Sequence, residues 1–140
     1  MIVEKGKGKD LWGRVDFYDD LIVDSAPTIG ALEKKMKKLL HDLHGVDPAV
    51  IKFGVALDLT AVFSEKTYLN LSVVAQRLGI NRSLMAQYAA GNKFPSSERA
   101  LAIENAIHDI GRDLLKVKLA VKGERVREAG KAGKKAKSAA

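Results

Sequence analysis

The chain has 140 residues, of which 46% are hydrophobic, carries a formal net charge of +7 and contains no cysteine. This composition excludes disulfides and thiolate metal sites, and no run of about 18 apolar residues exists to span a membrane. Because the charged N-terminus lacks the apolar core of a secretion signal, we expect a cytoplasmic protein.

Charge is distributed unevenly along the chain. The net charge is −2 over residues 1–65, +4 over residues 66–120 and +5 over residues 121–140. A basic second half suits nucleic acid, whereas an acidic first half suits a basic partner.

The first 58 residues predict three strands, a helix and a fourth strand. Apolar residues and period-two alternation, bounded by turn-forming residues, indicate the strands. The predicted strands cover residues 1–5, 11–18, 21–23 and 50–57. Asp19 and Asp20 are expected to form the turn before the third strand. Three consecutive strands followed by a crossing helix place the fourth strand beside the first.

The predicted helix begins after Thr28 and stops at Gly45. Thr28 is suited to cap it, and apolar residues recur at spacings of three and four along it. We interpret its four outward lysines as a solvated face. His41 and His44 suit the negative end of the helix, and with no third ligand nearby we expect no metal site.

After a single helical turn predicted for residues 60–66, residues 71–91 predict a DNA-reading helix-turn-helix. Helices over 71–78 and 82–90 would be joined at Gly79, which adopts a left-handed conformation cheaply. The small Ala75 falls where the two helices would cross closely. An ordinary helical hairpin within a core remains the alternative.

The candidate DNA contacts follow from this helical arrangement, and no acidic residue occurs from Thr67 to Ser97 to oppose phosphate. Side chains on the outer face of the second helix are expected to read bases. These are Arg82, Ser83 and Gln87. Polar side chains at the helix ends are expected to contact phosphates. These are Ser72, Asn81, Asn92 and Lys93.

A longer helix, capped by Ser96 or Ser97, is predicted to follow and to leave apolar surface exposed. We expect this surface to form a homodimer or a higher even oligomer, which would present two recognition helices to a palindromic operator in double-stranded DNA. The residues predicted to dimerise are Ile110, Leu114, Leu115 and Val117. Alternatively, this segment folds back on its own sheet. Residues 121–140 predict a basic, disordered or partly helical tail that strengthens DNA binding or only aids solubility.

The sequence LSVVAQRLGINRSLMAQYAAGNKFPS resembles the helix-turn-helix of the Cro and phage-repressor group. The small residue, the turn glycine, the following isoleucine and the GNKFPS exit match that group. Leu71 departs from it, because many members carry a DNA-contacting glutamine there.

The segment GKDLWGRVDFYDDLIVDSAPTIGALEKKMKKLL, followed by a helix-turn-helix, resembles the HicB family of antitoxins over about residues 1–120. The resemblance implies a partial ribonuclease-H-like β-β-β-α-β domain at 1–58 and an all-α DNA-binding and dimerisation domain at 59–120, an α+β chain overall. It also implies that the first domain neutralises a small ribonuclease toxin of the HicA type, and that the second represses its own promoter. DLIVDSAP departs from the family by lacking a Pro-Gly-Cys-like bend.

Acidic residues in the first domain are the candidates for binding a basic toxin. They are Asp16, Asp19, Asp20 and Asp24. Two alternatives stay open. The chain is a solitary phage-type repressor without a toxin, or it is a nuclease-like enzyme in which Asp16 and Asp58 approach each other on neighbouring strands. The first domain is too short for the usual carboxylate cluster, so we expect no catalytic residue, metal or cofactor.

Overall fold

The computed structural model describes residues 1–123, so most of the predicted basic tail at 121–140 lies outside the described residues. The described part is a mixed α+β structure, which confirms that class. Its strands are β1 (Ile2–Lys5), β2 (Leu11–Phe17), β3 (Asp20–Ala26) and β4 (Ala56–Leu57), and its helices are α1 (Ile29–His44), α2 (Leu59–Glu65), α3 (Leu71–Leu78), α4 (Arg82–Ala90) and α5 (Ser97–Leu115). None of these helices is both long enough and apolar enough to cross a membrane.

The four strands form one sheet in the order β3-β2-β1-β4. β1 and β2 are antiparallel, as are β2 and β3, whereas β4 runs parallel to β1. The prediction that the fourth strand lies beside the first is therefore confirmed. A two-residue turn of Tyr18 and Asp19 joins β2 to β3, since Phe17 pairs directly with Asp20.

The predicted bounds of the third and fourth strands are wrong. The third strand covers seven residues rather than 21–23, and Asp20 begins it instead of turning the chain, because the whole segment pairs with β2. The fourth strand is Ala56–Leu57 rather than 50–57. Asp47 and Pro48 start a 3-10 turn at Pro48–Val50 instead. Ile51 and Phe53 are half-buried against the core, which explains the alternating pattern that suggested a long strand. Residues 51–55 nevertheless form no strand.

α1 packs on one face of the sheet. The Thr28 side chain accepts from the Ala31 amide at 3.2 Å, and Gly45 ends the helix with a φ of 66°. Both helix ends are therefore as predicted. Gly13 on β2 allows the close approach, because a Cβ added there would lie 2.7 Å from Leu32 Cδ2.

Residues 1–123 form two hydrophobic cores, and α2 packs against both. The first core lies between the sheet and α1, and its buried residues are Val3, Leu11, Ile22, Ala26, Leu32, Met36, Leu40 and Ala61. The second lies among α3, α4 and α5, and its buried residues are Val74, Ala75, Met85, Tyr88, Ile103 and Ala106. α2 supplies Ala61 to the first core, while its Leu59 and Phe63 pack against the second.

α2 begins at Leu59, one residue before the predicted start, because Asp58 caps it. The Asp58 carboxylate accepts from the Ala61 amide at 2.9 Å and from the Thr60 hydroxyl at 2.5 Å. The same Thr60 oxygen accepts from the Lys5 amide at 2.9 Å. This short network fixes the start of α2 to the end of β1.

Candidate nucleic-acid interface

α3 and α4 are joined by a three-residue turn, in which Gly79 ends α3 and Asn81 caps α4 as predicted. Gly79 ends α3 with a φ of 66°, and its amide and that of Ile80 bond back to α3 carbonyls. The Asn81 side chain then accepts from the Ser83 amide at 2.7 Å and caps α4. These local bonds satisfy the free backbone groups at the turn.

The two helices cross over small and apolar side chains. Ala75 is buried on α3, and Met85 is fully buried on α4. Ile103 of α5 closes the cluster beneath them. Because the core holds the inward faces of both helices, the outward face of α4 is presented in a fixed orientation.

Two of the three predicted base-reading residues lie exposed at the start of α4. Arg82 and Ser83 are exposed, whereas Gln87 is half-buried one turn further along. Arg82 Nε donates to Ser72 Oγ on α3 at 2.6 Å. This contact brings a predicted base-reading residue against a predicted phosphate-contacting residue, and it leaves the two terminal amino groups of the guanidinium outside the bond.

The remaining predicted phosphate contacts lie at the other end of α4. The amides of Asn92 and Lys93 both bond to the Gln87 carbonyl, at 2.9 and 3.3 Å, which holds them just past the helix. α4 is nine residues long, which is about 13 Å, and Arg82 lies at its opposite end. The predicted contacts therefore form two groups at opposite ends of α4 rather than one cluster.

Arg77 is a basic residue of α3 that the sequence-based site omitted. Its guanidinium donates to Asp113 of α5 at 2.5 Å. This hydrogen bond, together with the positive charge of Arg77, lowers the pKa of the Asp113 carboxyl below its ordinary value. The pair spans 36 positions, so no local pattern could have revealed it. Asn70, which caps α3 through the Ser72 amide at 2.9 Å, was also missed, although its residue type just before an apolar run is a recognisable cap signal.

The residues predicted to dimerise differ in their surroundings. Ile110 is half-buried and packs against the second core, so part of its surface is already used within the chain. Leu114 and Leu115 near the end of α5 are 60% and 86% exposed. Val117 is exposed too, but it lies beyond the helix.

An open apolar groove runs between α5 and the segment over residues 55–66. Its volume is about 1320 Å³. Residues from both sides line it, including Val55, Leu59, Leu101, Ile107, Leu114 and Leu115. The exposed leucines of α5 therefore continue into a concave apolar surface.

The four acidic residues proposed for a protein partner lie on or beside the β2–β3 hairpin. Asp16 is exposed on β2 and Asp19 is in the turn. Asp20 Oδ2 lies 3.0 Å from His44 Nε2, although the angles do not fit a hydrogen bond. Asp24 lies 3.6 Å from Lys35 Nζ and accepts from the Ser25 amide at 2.7 Å. Within the described residues Asp16 and Asp19 form no ion pair, so these two are the least compensated of the four carboxylates.

The predicted approach of Asp16 to Asp58 is wrong. β1 lies between β2 and β4, so the two residues are not on neighbouring strands. Asp58 is instead occupied as the cap of α2. No group of three acidic or histidine residues suited to a metal ion occurs within residues 1–123.

Comparisons with protein-family models, with curated proteins and with solved structures found no match to this chain.

Proposed function

We propose that this protein is a DNA-binding transcriptional regulator of the HicB-like antitoxin type. In this proposal α3 and α4 form a helix-turn-helix of the Cro and phage-repressor kind, and the sheet with α1 forms a partial ribonuclease-H-like domain. The DNA-binding half represses the promoter of its own gene. The first half binds and neutralises a small, basic ribonuclease toxin.

The observation that carries the DNA-binding proposal is the exposed, acid-free start of α4. Arg82 and Ser83 are exposed on a helix whose inner face is anchored by the buried Met85 and Tyr88. No carboxylate occurs in the sequence from Thr67 to Ser97, so nothing on these two helices repels phosphate. An α-helix fits the major groove of B-DNA, where side chains at its N-terminal end meet base edges.

Arg82 is the residue best suited to read a base. Its Nε is bound by Ser72, which fixes the guanidinium, and its two terminal amino groups point to a bidentate contact with O6 and N7 of guanine. Ser72 thereby acts as a positioning residue. Asn92 and Lys93 lie about 13 Å away at the far end of α4, which suits a second contact with the backbone on the other side of the groove.

The exposed leucines of α5 support a dimer. A single α4 offers few polar side chains, because Ala86, Ala89 and Ala90 fill much of its outer surface. Two copies related by a two-fold axis would double the number of base contacts and select a palindrome. Burial of Leu114 and Leu115 would remove exposed apolar surface from water.

A DNA titration with matched variants tests the reading role of Arg82. We expect Arg82→Ala to weaken binding to the preferred site by about 1–3 kcal/mol and to relax the preference for guanine. Ser72→Ala should cost about 0.5–1.5 kcal/mol, the value of one hydrogen bond. Arg14→Ala removes the same charge from the exposed sheet face and serves as the control. Equal affinity and equal sequence preference in the Arg82 and Arg14 variants would rule out the assignment.

A solitary repressor is the second candidate. The observation that favours it is β3, which pairs with β2 over all seven residues and has no bend of the HicB type. The two proposals separate when the protein is isolated from its native cells under mild conditions. Co-purification of a small basic protein whose ribonuclease activity it blocks supports the antitoxin, whereas recovery with DNA alone supports the solitary repressor.

A further inference from the structure

β3 is an edge strand, and only part of its outer edge is protected. In a two-residue hairpin the closing pair is hydrogen-bonded, and bonded and non-bonded pairs then alternate. Since Phe17 and Asp20 close this hairpin, the backbone groups of Leu21, Val23 and Ser25 face away from β2. These three residues therefore present the donors and acceptors of the free edge.

Side chains of the protein itself block one end of this edge. The Ser25 amide donates to Asp24 Oδ1 at 2.7 Å, and the Ser25 carbonyl accepts from Lys35 Nζ at 2.7 Å. The hydrogen bonds within residues 1–123 include no such partner for Leu21 or Val23. Proteins normally protect sheet edges, because an open edge pairs with other strands. An unprotected segment beside a protected one marks the place where a strand can be added.

Apolar side chains flank the open segment on the sheet face opposite α1. Leu21 is 59% exposed and Val23 is 48% exposed. Tyr18 stands at the tip of the hairpin, 89% exposed, with a φ of 52° that is uncommon for an aromatic residue. An added strand would cover Leu21 and Val23, whereas the Tyr18 ring packs edge-on against Phe17 with a centroid distance of 4.8 Å.

Charge decides what kind of strand fits. If a second copy of β3 paired in the register that uses both open residues, Asp20 of one copy would lie opposite Asp24 of the other, and like charges in that position destabilise a sheet. Asp16 and Asp19 add negative charge nearby, and neither forms an ion pair in the described part of the chain. A partner strand that carries Lys or Arg opposite Asp20 would instead place opposite charges next to each other, which stabilises the pairing.

We propose that the open edge at Leu21–Val23 binds an extended strand of a partner protein, with apolar residues facing Leu21 and Val23 and a basic residue facing Asp20. Backbone hydrogen bonds would supply the affinity and the alternating side chains the selectivity. The inference deepens the partner-binding part of the proposed function and is independent of DNA binding.

The test is an NMR titration of the isotopically labelled full chain, followed amide by amide. The probe is a synthetic peptide of alternating valine and threonine with a lysine at each end, and the matched control carries glutamate instead of lysine. We expect the amide signals of Leu21 and Val23 to shift and their hydrogen exchange to slow with the lysine peptide, and the glutamate peptide to bind less tightly.

Two variants separate strand addition from a general charge effect. Val23→Pro removes one outward N–H without touching the ladder to β2, because proline is tolerated at the free side of an edge strand. We expect it to weaken binding roughly three- to tenfold, the value of one hydrogen bond. Val23→Thr retains the N–H and the branched shape and should therefore weaken binding less than Val23→Pro does. If the proline variant does not fold, the test rests on the natural chain, in which hydrogen exchange of the Leu21 and Val23 amides must slow when the lysine peptide is added.

Several outcomes would overturn the proposal. The first three are equal binding of both peptides, signal shifts confined to residues outside β3, and unchanged affinity of the proline variant for the lysine peptide. The fourth is a concentration-dependent shift of the Leu21 and Val23 signals without peptide, which would identify a second copy of the chain as the occupant. The peptide titration contains neither DNA nor toxin. It can therefore fail while the DNA titration of the Arg82 variants succeeds, and it can succeed while that DNA titration fails.

Discussion

Replacing Thr60 by valine tests how the sheet is joined to the helical half of the chain. The hydroxyl accepts from the Lys5 amide at 2.9 Å and donates to Asp58 at 2.5 Å, and both bonds are partly buried. Valine keeps the branched shape but leaves the Lys5 amide without its partner. An unsatisfied buried donor costs about 1–3 kcal/mol. Because water reaches this site in part, we expect Thr60→Val to lower the free energy of unfolding by about 1.5 kcal/mol.

Thr60→Ser is the matched control, since serine keeps the hydroxyl and loses only the methyl group. That methyl lies close to Gly91, where an added Cβ would be 3.2 Å from it. Losing the methyl group should cost about 0.8 kcal/mol or less. Urea unfolding measures both variants, and the midpoint should move without a change in slope. A valine variant as stable as the serine variant would refute the role of the hydroxyl.

Three further predictions concern the helical half. Gly79→Ala should lower the free energy of unfolding by about 1 kcal/mol, because alanine is strained at a φ of 66°. Backbone strain is the whole cost, since a Cβ added at Gly79 would meet no atom within 4 Å. Urea unfolding should show that Gly79→Asn costs less. In an NMR titration the Asp113 carboxyl should show a pKa below its ordinary value of 3.8, and Arg77→Gln should raise the pKa of Asp113 back towards that value. The stabilisation by the Arg77–Asp113 pair is complete above pH 3.8 and is lost as the pH falls through the lowered pKa. In sedimentation experiments Leu114→Ser with Leu115→Ser should convert a dimer into a monomer, and an unchanged mass would contradict the dimer surface.

Local chemistry made much of the fold predictable. Thr28, Gly45 and Gly79 act at helix ends as their residue types require, because capping depends on backbone groups only a few residues away. The position of β4 beside β1 was predictable as well, since a helix crossing over three consecutive strands restricts where the fourth can pair.

Long-range pairing limited the rest. Alternating burial at Ile51 and Phe53 imitates a strand, but a ladder forms only where β1 offers a partner, at Ala56 and Leu57. In the candidate site, the outward position of Arg82 followed from helical periodicity. Its bond to Ser72 depends on how α3 and α4 cross, and so it was not visible in the sequence.

The most direct test of DNA reading by α4 is selection of bound duplexes from a random-sequence pool by the full chain. The proposal predicts enrichment of a palindrome whose half-sites lie about 10 base pairs apart, or a multiple of that spacing. It also predicts that a guanine enriched in each half-site loses its enrichment when Arg82→Ala is used, while Arg14→Ala selects the same sequence as the natural chain. A pool that remains random after repeated selection, or a palindrome recovered equally well by the Arg82 variant, would contradict the proposal.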